Sequence, residues 1–205
     1  LITHSSNLGC ADTQEITITV FPIPVADFDA PDVCLNLAMD FNDESGISNG
    51  TVSFWEWTFG DGTTNSQQNP NHIYGAPGSF IVSLIVTSNN GCSDTVEKNV
   101  IVHPLPVAGF NASNVCDGSF AQFNNTSTIT GTDIIQLNIW DFDDGNSLGN
   151  QNATHLYDAP GGYNVQLLVI SNFGCADSIT HTIVINPNPD VNFTTTAGQG
   201  CEPLC

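Results

Sequence analysis

The feature that most constrains this chain is a repeat of about eighty-two residues, each copy built around a Trp-x-Phe-x-Asp-Gly core. Phe28 recurs as Phe110 and Phe193, Cys34 as Cys116, and Cys10 as Cys92 and Cys175. Trp57-Thr58-Phe59-Gly60-Asp61-Gly62 returns as Trp140-Asp141-Phe142-Asp143-Asp144-Gly145, and His72-Ile73-Tyr74 as His155-Leu156-Tyr157. A period this long is a whole small domain, too long for a solenoid unit that needs its neighbours to fold. The chain is therefore read as an array of domains.

Charge narrows the partners. Twenty-one acids stand against one base, Lys98, for a formal net charge of −20. Neither phosphates nor anionic headgroups find cations to contact, which argues against nucleic acid and against a membrane surface. No run approaches the length of a spanning helix, and the first residues lack a basic, then apolar, leader. Seven cysteines beside so little lysine point to an oxidising, extracellular setting. They form no C-x-x-C pairs, which disfavours structural zinc. Asn-x-Ser/Thr sequons at Asn49, Asn111, Asn124, Asn125, Asn152 and Asn192 carry little weight in a chain this rich in Asn and Thr.

Strand signals dominate. Glu15 to Val20, Phe80 to Val86 and Tyr163 to Val169 alternate or run β-branched between Gly, Asn, Asp and Pro clusters, and no window has helical periodicity with caps. The expected fold class is all-β, with immunoglobulin-like, Greek-key sandwiches in an end-to-end array. Within the first copy, strands are expected at Val25–Phe28, Leu37–Phe41, Phe54–Phe59, His72–Tyr74, Phe80–Val86 and Thr95–Val102. Trp55, Trp57 and Phe59 share one face by alternation. Stiff joints are expected at Pro22-Ile23-Pro24, Pro104-Leu105-Pro106 and Pro187-Asn188-Pro189, where proline fixes φ at alternate positions.

Trp57 to Gly62, Asn69-Pro70-Asn71-His72-Ile73-Tyr74, Gly78-Ser79-Phe80 and Val82-Ser83-Leu84 resemble a polycystic-kidney-disease (PKD) domain. The family pattern is Trp-Asp-Phe-Gly-Asp-Gly, then Pro-x-His-x-Tyr, then Gly-x-Tyr-x-Val. The second copy matches through Trp140 to Gly145, His155 to Tyr157 and Gly162 to Val165, departing at Asp143 for glycine and at Ala153 for proline. The resemblance implies complete domains at 23–104 and 105–187. It makes 1–22 the last strands of a preceding repeat and 188–205 the first strand of a following one. The Asn-Gly-Cys and Phe-Gly-Cys turns resemble those of large surface proteins of bacteria with type IX secretion, gliding adhesins among them. In that group Asp94-Thr95-Val96 and Asp177-Ser178-Ile179 fit an O-glycosylation tripeptide.

The motif residues divide into structural and chemical candidates. Trp57, Phe59, Trp140 and Phe142 read as core. Trp55, replaced by Asn138 in the second copy, is either a cover for one end of the core or a sugar-stacking platform. Asp61 and Asp144, flanked by Gly62 and Gly145, suit turn carboxylates that accept backbone N–H groups. The alternative is calcium, with Asp43, Glu44, Asp61, Asp141, Asp143 and Asp144 as candidate oxygens; some bacterial PKD domains bind calcium. No other cofactor is expected. His72 and His155 travel with Tyr74 and Tyr157 and with no nucleophile or second base, so they read as conformational and the chain as non-enzymatic.

Cysteine pairing follows from where the strands place the thiols. Cys34 should lie where the chain leaves its domain and Cys92 where it enters, a strand length apart, whereas a disulfide needs Cα atoms about 4.4–6.8 Å apart. End-to-end stacking would bring Cys34 to Cys175, the favoured pairing. The alternatives are Cys34–Cys92 and Cys116–Cys175, with Cys205 pairing to Cys201 or staying free. Lys–Asn isopeptide cross-links have only Lys98 to draw on. The expected function is a disulfide-reinforced stalk or filament segment of an extracellular adhesin, and the alternative is an accessory carbohydrate- or protein-binding module of a secreted depolymerase. Expected partners are neighbouring PKD domains of a longer chain, identical chains in a fibre, and a surface polysaccharide or protein ligand.

Overall fold

The computed structural model describes residues 16–192 and, as backbone, two short strands that pair antiparallel, β1 (Ile2–His4) and β2 (Ala11–Thr13). The chain separates into two units, Leu1–Val102 and His103–Cys205. Every regular element among the described residues is a strand. The expected assignment of 1–22 and 188–205 to neighbouring repeats, and the cysteines 10, 201 and 205, fall largely or wholly outside the described residues.

The first unit contains β3 (Phe28–Asp29), β4 (Val33–Cys34), β5 (Ala38–Asp40), β6 (Asn42–Asp43), β7 (Val52–Thr58), β8 (Thr64–Asn65), β9 (Asn71–Ile73), β10 (Gly78–Ser88) and β11 (Ser93–His103). One layer is a five-stranded sheet in the order β4-β11-β10-β7-β8. The facing layer consists of two antiparallel pairs, β3 with β6 and β5 with β9. The second unit contains β12 (Phe110–Ala112), β13 (Val115–Cys116), β14 (Ala121–Asn125), β15 (Ile135–Asp141), β16 (Ser147–Leu148), β17 (Ala153–His155), β18 (Gly161–Ser171) and β19 (Ala176–Asn186). Its larger sheet runs β13-β19-β18-β15-β16, and its facing sheet is a continuous β12-β14-β17.

Alternation builds each core. In β10, Val82, Leu84 and Val86 are buried while Ile81 is exposed, and in β18 Val165, Leu167 and Val169 take the same places. They meet aromatic residues from the facing layer around a fully buried tryptophan. Phe28 approaches Trp57 edge-on at 5.2 Å, and Phe110 approaches Trp140 at 5.1 Å. Each indole N–H donates to a loop carbonyl, Trp57 to Gln67 and Trp140 to Asn150, both at 2.9 Å. Burying a large aromatic stabilises by roughly 1.5–3 kcal/mol only when its polar atom is satisfied in this way.

The two copies differ where the sequence departs from its own repeat. In the second, Phe123 sits opposite Ala153 within an unbroken β14. In the first, the corresponding position is Pro70, which accepts from Phe41 N–H at 2.9 Å but has no N–H to return. A missing donor interrupts the ladder. The strand therefore splits at Phe41 into β5 and β6, and the facing layer becomes two pairs.

A second departure lies in the turn after the tryptophan strand. Gly60 has φ of +80°, and a Cβ there would lie 2.6 Å from the Ile81 carbonyl oxygen. Its counterpart Asp143 holds a left-handed φ of 64° and directs its carboxylate to the Asn164 N–H at 2.9 Å. The short polar side chain thus compensates a conformation that L-residues otherwise avoid.

One expectation fails. Residues 16–20, read as a strand from their alternating β-branched pattern, carry no regular structure, and Ile16, Ile18 and Val20 are 77%, 80% and 87% exposed. A strand is completed by a partner's hydrogen bonds, and among the described residues none lies beside this segment.

Gly60→Ala is expected to destabilise the first unit by about 2 kcal/mol, because the added Cβ meets backbone rather than a movable side chain. Denaturant unfolding followed by tryptophan fluorescence checks this. An unchanged midpoint would mean that the turn relaxes freely.

Candidate functional site

The repeated motif residues converge on one corner of each unit. In the first, the His72 ring stacks on Phe59 at 4.4 Å with an interplanar angle of 5°, and meets Tyr74 edge-on at 4.6 Å. His72 Nε2 lies 2.7 Å from Asp61 Oδ2. The other Asp61 oxygen accepts from Thr63 N–H at 3.0 Å and from Thr63 Oγ1 at 2.6 Å. Tyr74 donates its hydroxyl to the Phe59 carbonyl at 3.0 Å. The second unit reproduces this with His155 on Phe142 at 4.1 Å, Nε2 to Asp144 at 2.6 Å, and the Tyr157 hydroxyl to the Phe142 carbonyl at 3.2 Å.

This arrangement locks the turn to the facing layer. The aspartate closes its own turn on Thr63 or Asn146, then holds a histidine from β9 or β17 against the phenylalanine that precedes the turn. Each histidine thus ties its turn to the facing layer, and in the first corner the Thr63 hydroxyl, bonded to Asp61, also lies 3.4 Å from His72 Nε2. Burial opposes ionisation of Asp61, but the Thr63 hydroxyl and N–H and the His72 ring outweigh it and hold the carboxyl at about 2. Asp144 is lowered as well, with burial again opposed by His155 and the Asn146 N–H and side chain. Burial, reinforced by the nearby aspartates, pushes both corner tyrosines far above the usual phenol range.

The calcium candidates do not converge. Asp43 accepts from Ser45 N–H at 3.0 Å, from Trp55 Nε1 at 2.7 Å and from Gln68 at 3.1 Å. Asp141 accepts from the Asp143 N–H, Asp143 is taken up by Asn164, and Glu44 is exposed. Among the described residues no group of three His, Cys, Asp or Glu side chains is placed to hold a metal ion. Asp43, Asp141 and Asp143 instead accept N–H groups at turns and strand ends.

Trp55 is half-buried against the core and tied to Asp43, so it covers the core and is not a free stacking platform. Its replacement is concerted. Where Trp55 becomes Asn138, Asp43 becomes Asn125, and the two amides bond each other at 2.6 Å. This link between the two layers is visible in the sequence only as two separate departures from the repeat. Lys98 is also committed: it bonds the Phe28 carbonyl, lies 2.6 Å from Asp27 and sits over the Phe28 ring. His181 takes its place over Phe110 in the second unit.

Cys34 and Cys175 are both disulfide-bonded, whereas Cys92 and Cys116 are free thiols. Neither Cys34–Cys92 nor Cys116–Cys175 therefore forms, and the sheets supply the reason. Cys92 follows the β10–β11 turn, closed by Ser88 N–H on the Cys92 carbonyl, while Cys34 lies on β4 beside the far end of β11, where Asp32 accepts from Ile101 N–H. Cys116 pairs with Asn186 at the end of β19, and Cys175 precedes the first residue of that strand. Each alternative would have to span an eleven-residue strand, about 35 Å at 3.3 Å per residue.

Lowering of the Asp61 pKa stabilises the fold above its ordinary value near 3.8, and that contribution disappears as pH falls toward 2. Asp61→Asn is therefore expected to cost about 1–2 kcal/mol at neutral pH and to flatten the stability profile between these values. Thermal melts across acid pH check it; an unchanged acid limb in the variant's difference profile would refute the clamp.

The PKD domain family model matches twice, over residues 22–103 and 101–187. The metalloprotease PrtV of Vibrio cholerae is 30% identical over 139 residues, covering 66% of this chain and 15% of its own length. Collagenase ColA of Bacillus cereus is 30% identical over 102 residues, covering 49% of this chain and 11% of its own. The chain thus spans a small fraction of these relatives. The PKD1 domain structure from PrtV is 30% identical with a TM-score of 0.37, covering 40% of this chain and 98% of that domain. With two successive matches that together cover most of its length, the chain belongs to the PKD domain family.

Proposed function

We propose that this chain is a non-enzymatic segment of an extracellular stalk or filament, of the kind carried by cell-surface adhesins, built from tandem PKD domains. The observation that carries this reading is the pattern of oxidised and reduced cysteines. Cys34 and Cys175 are disulfide-bonded while their repeat counterparts Cys116 and Cys92 are free thiols. Cys34 sits in the first unit beside the last residues before Val102. Cys175 sits in the second unit on the turn whose Phe173 stacks against His103. With Cys92 and Cys116 free, the two pairings within a domain are closed to Cys34 and Cys175, which supports a Cys34–Cys175 staple. Such a bond restrains bending and leaves the folding of each core to its own aromatic cluster.

Acidity suits the same role. A formal charge of −20 keeps long arrays mutually repelling and soluble. No helix among the described residues is long and apolar enough to cross a membrane. Attachment to a surface through type IX secretion, and a part in gliding, extend this reading from the cysteine-bearing turns.

A second reading, an accessory module of a secreted depolymerase, is supported by the relatives, which include a metalloprotease and collagenases. Electron microscopy of the native assembly separates the two. The stalk predicts a thin fibre with a domain-length axial repeat; compact particles joined to a catalytic domain would overturn it. Non-reducing peptide mapping is expected to return a Cys34–Cys175 peptide. A peptide joining Cys34 to Cys10, Cys201 or Cys205 would sink the staple.

A further inference from the structure

The outer face of the β12-β14-β17 sheet has a character unlike the rest of this acidic chain. Strand alternation turns Ala121 and Phe123 into the core and Gln122 and Asn124 outward. Register places Asn111 opposite Asn124 and Thr154 opposite Gln122, so amides and a hydroxyl form adjoining cross-strand pairs. Phe120, just before β14, is 62% exposed at one end of the row. Two clefts lie along this face, of about 330 and 220 Å³, and Gln122 and Asn124 line both. No carboxylate or cation lines either cleft, although the chain carries twenty-one acids. The amides of Asn111, Gln122 and Asn124 are not taken up by other groups among the described residues.

We propose that this face binds a neutral polysaccharide. Each sugar hydroxyl is both donor and acceptor, and a primary amide offers both on one planar group, so facing amides match neighbouring hydroxyls. The exposed Phe120 ring presents an apolar surface to the C–H face of a sugar ring. The larger cleft lies at the lower bound of ligand pockets, about 300–1,000 Å³, which suits a short stretch of a polymer lying across the sheet. An extended peptide would instead add to a sheet edge, where backbone hydrogen bonding is open. An acidic polymer would meet the repulsion of the whole chain.

The first unit is an internal comparison. Its equivalent row carries Asp29 opposite Asn42 and Asp40 opposite Asn71, with Ala38 where Phe120 stands. Two carboxylates and no aromatic make that face unsuitable, so the binding face belongs to the second unit alone. This inference does not depend on the stalk reading, which is tested by imaging.

Native affinity electrophoresis tests it, with the full chain run through gels containing hydroxyethyl cellulose, arabinoxylan, laminarin, galactomannan or glycogen, and alginate as the acidic comparison. Retardation is expected in at least one neutral gel and should persist in high salt. Phe120→Ala and the double variant Gln122→Ala/Asn124→Ala should each weaken it about tenfold or more, Phe120→Tyr should retain it, and Asp40→Ala in the first unit should leave it unchanged. All of these side chains point outward, and thermal melts confirm that each variant is folded. Mobility unaltered by every neutral polymer, retardation by alginate alone, or retardation that survives both alanine variants overturns the proposal.

Discussion

Each unit depends on the aspartate–histidine clamp that holds the turn after the tryptophan strand to the facing layer. Asp61 reaches back to Thr63 and across to His72, and His72 lies flat on Phe59. Through Phe59 the clamp connects to Phe41, Trp57 and Phe28, whose rings contact one another in series. A small sandwich has few residues with which to define the spacing of its sheets. Here one ring stack and one short hydrogen bond fix that spacing at the corner, and the buried indole fixes it at the centre.

The two copies act as a comparison made by the chain itself. Pro70 against Ala153 shows that one N–H decides whether the facing layer is two pairs or one sheet. Gly60 against Asp143 shows a left-handed turn held either by the lack of a Cβ or by a carboxylate that bonds the next strand. Asp43–Trp55 against Asn125–Asn138 shows a polar link between the layers kept while both partners change. In each case the interaction persists and its chemical means differ.

Much of the architecture was legible in the residues because sandwich strands obey a period of two, and Trp57, Phe59, Val82, Leu84 and Val86 declare their inward face. The corner was legible as a set, since Asp61, His72 and Tyr74 recur together, though not as a clamp. Nothing local indicates that Asp61 meets His72, because turn and strand belong to different layers. Ile16 to Val20 misled for a related reason: alternation shows that a segment suits a sheet, and only a partner makes it a strand. The neutral face of the second unit also escaped notice, because Asn111, Gln122 and Thr154 come from three strands and become a surface only through their register.

The sequence by itself determined the domain repeat, the all-β class, the core aromatic residues and the acidity, because each rests on periodicity or composition. It also placed Cys34 and Cys92 at opposite ends of a domain, since strand order alone separates them. Tertiary structure decided which carboxylates are spent on turns, which tryptophan is a cover, and which thiols are oxidised. These outcomes depend on contacts between segments distant in sequence, and only the packed sheets bring those segments together.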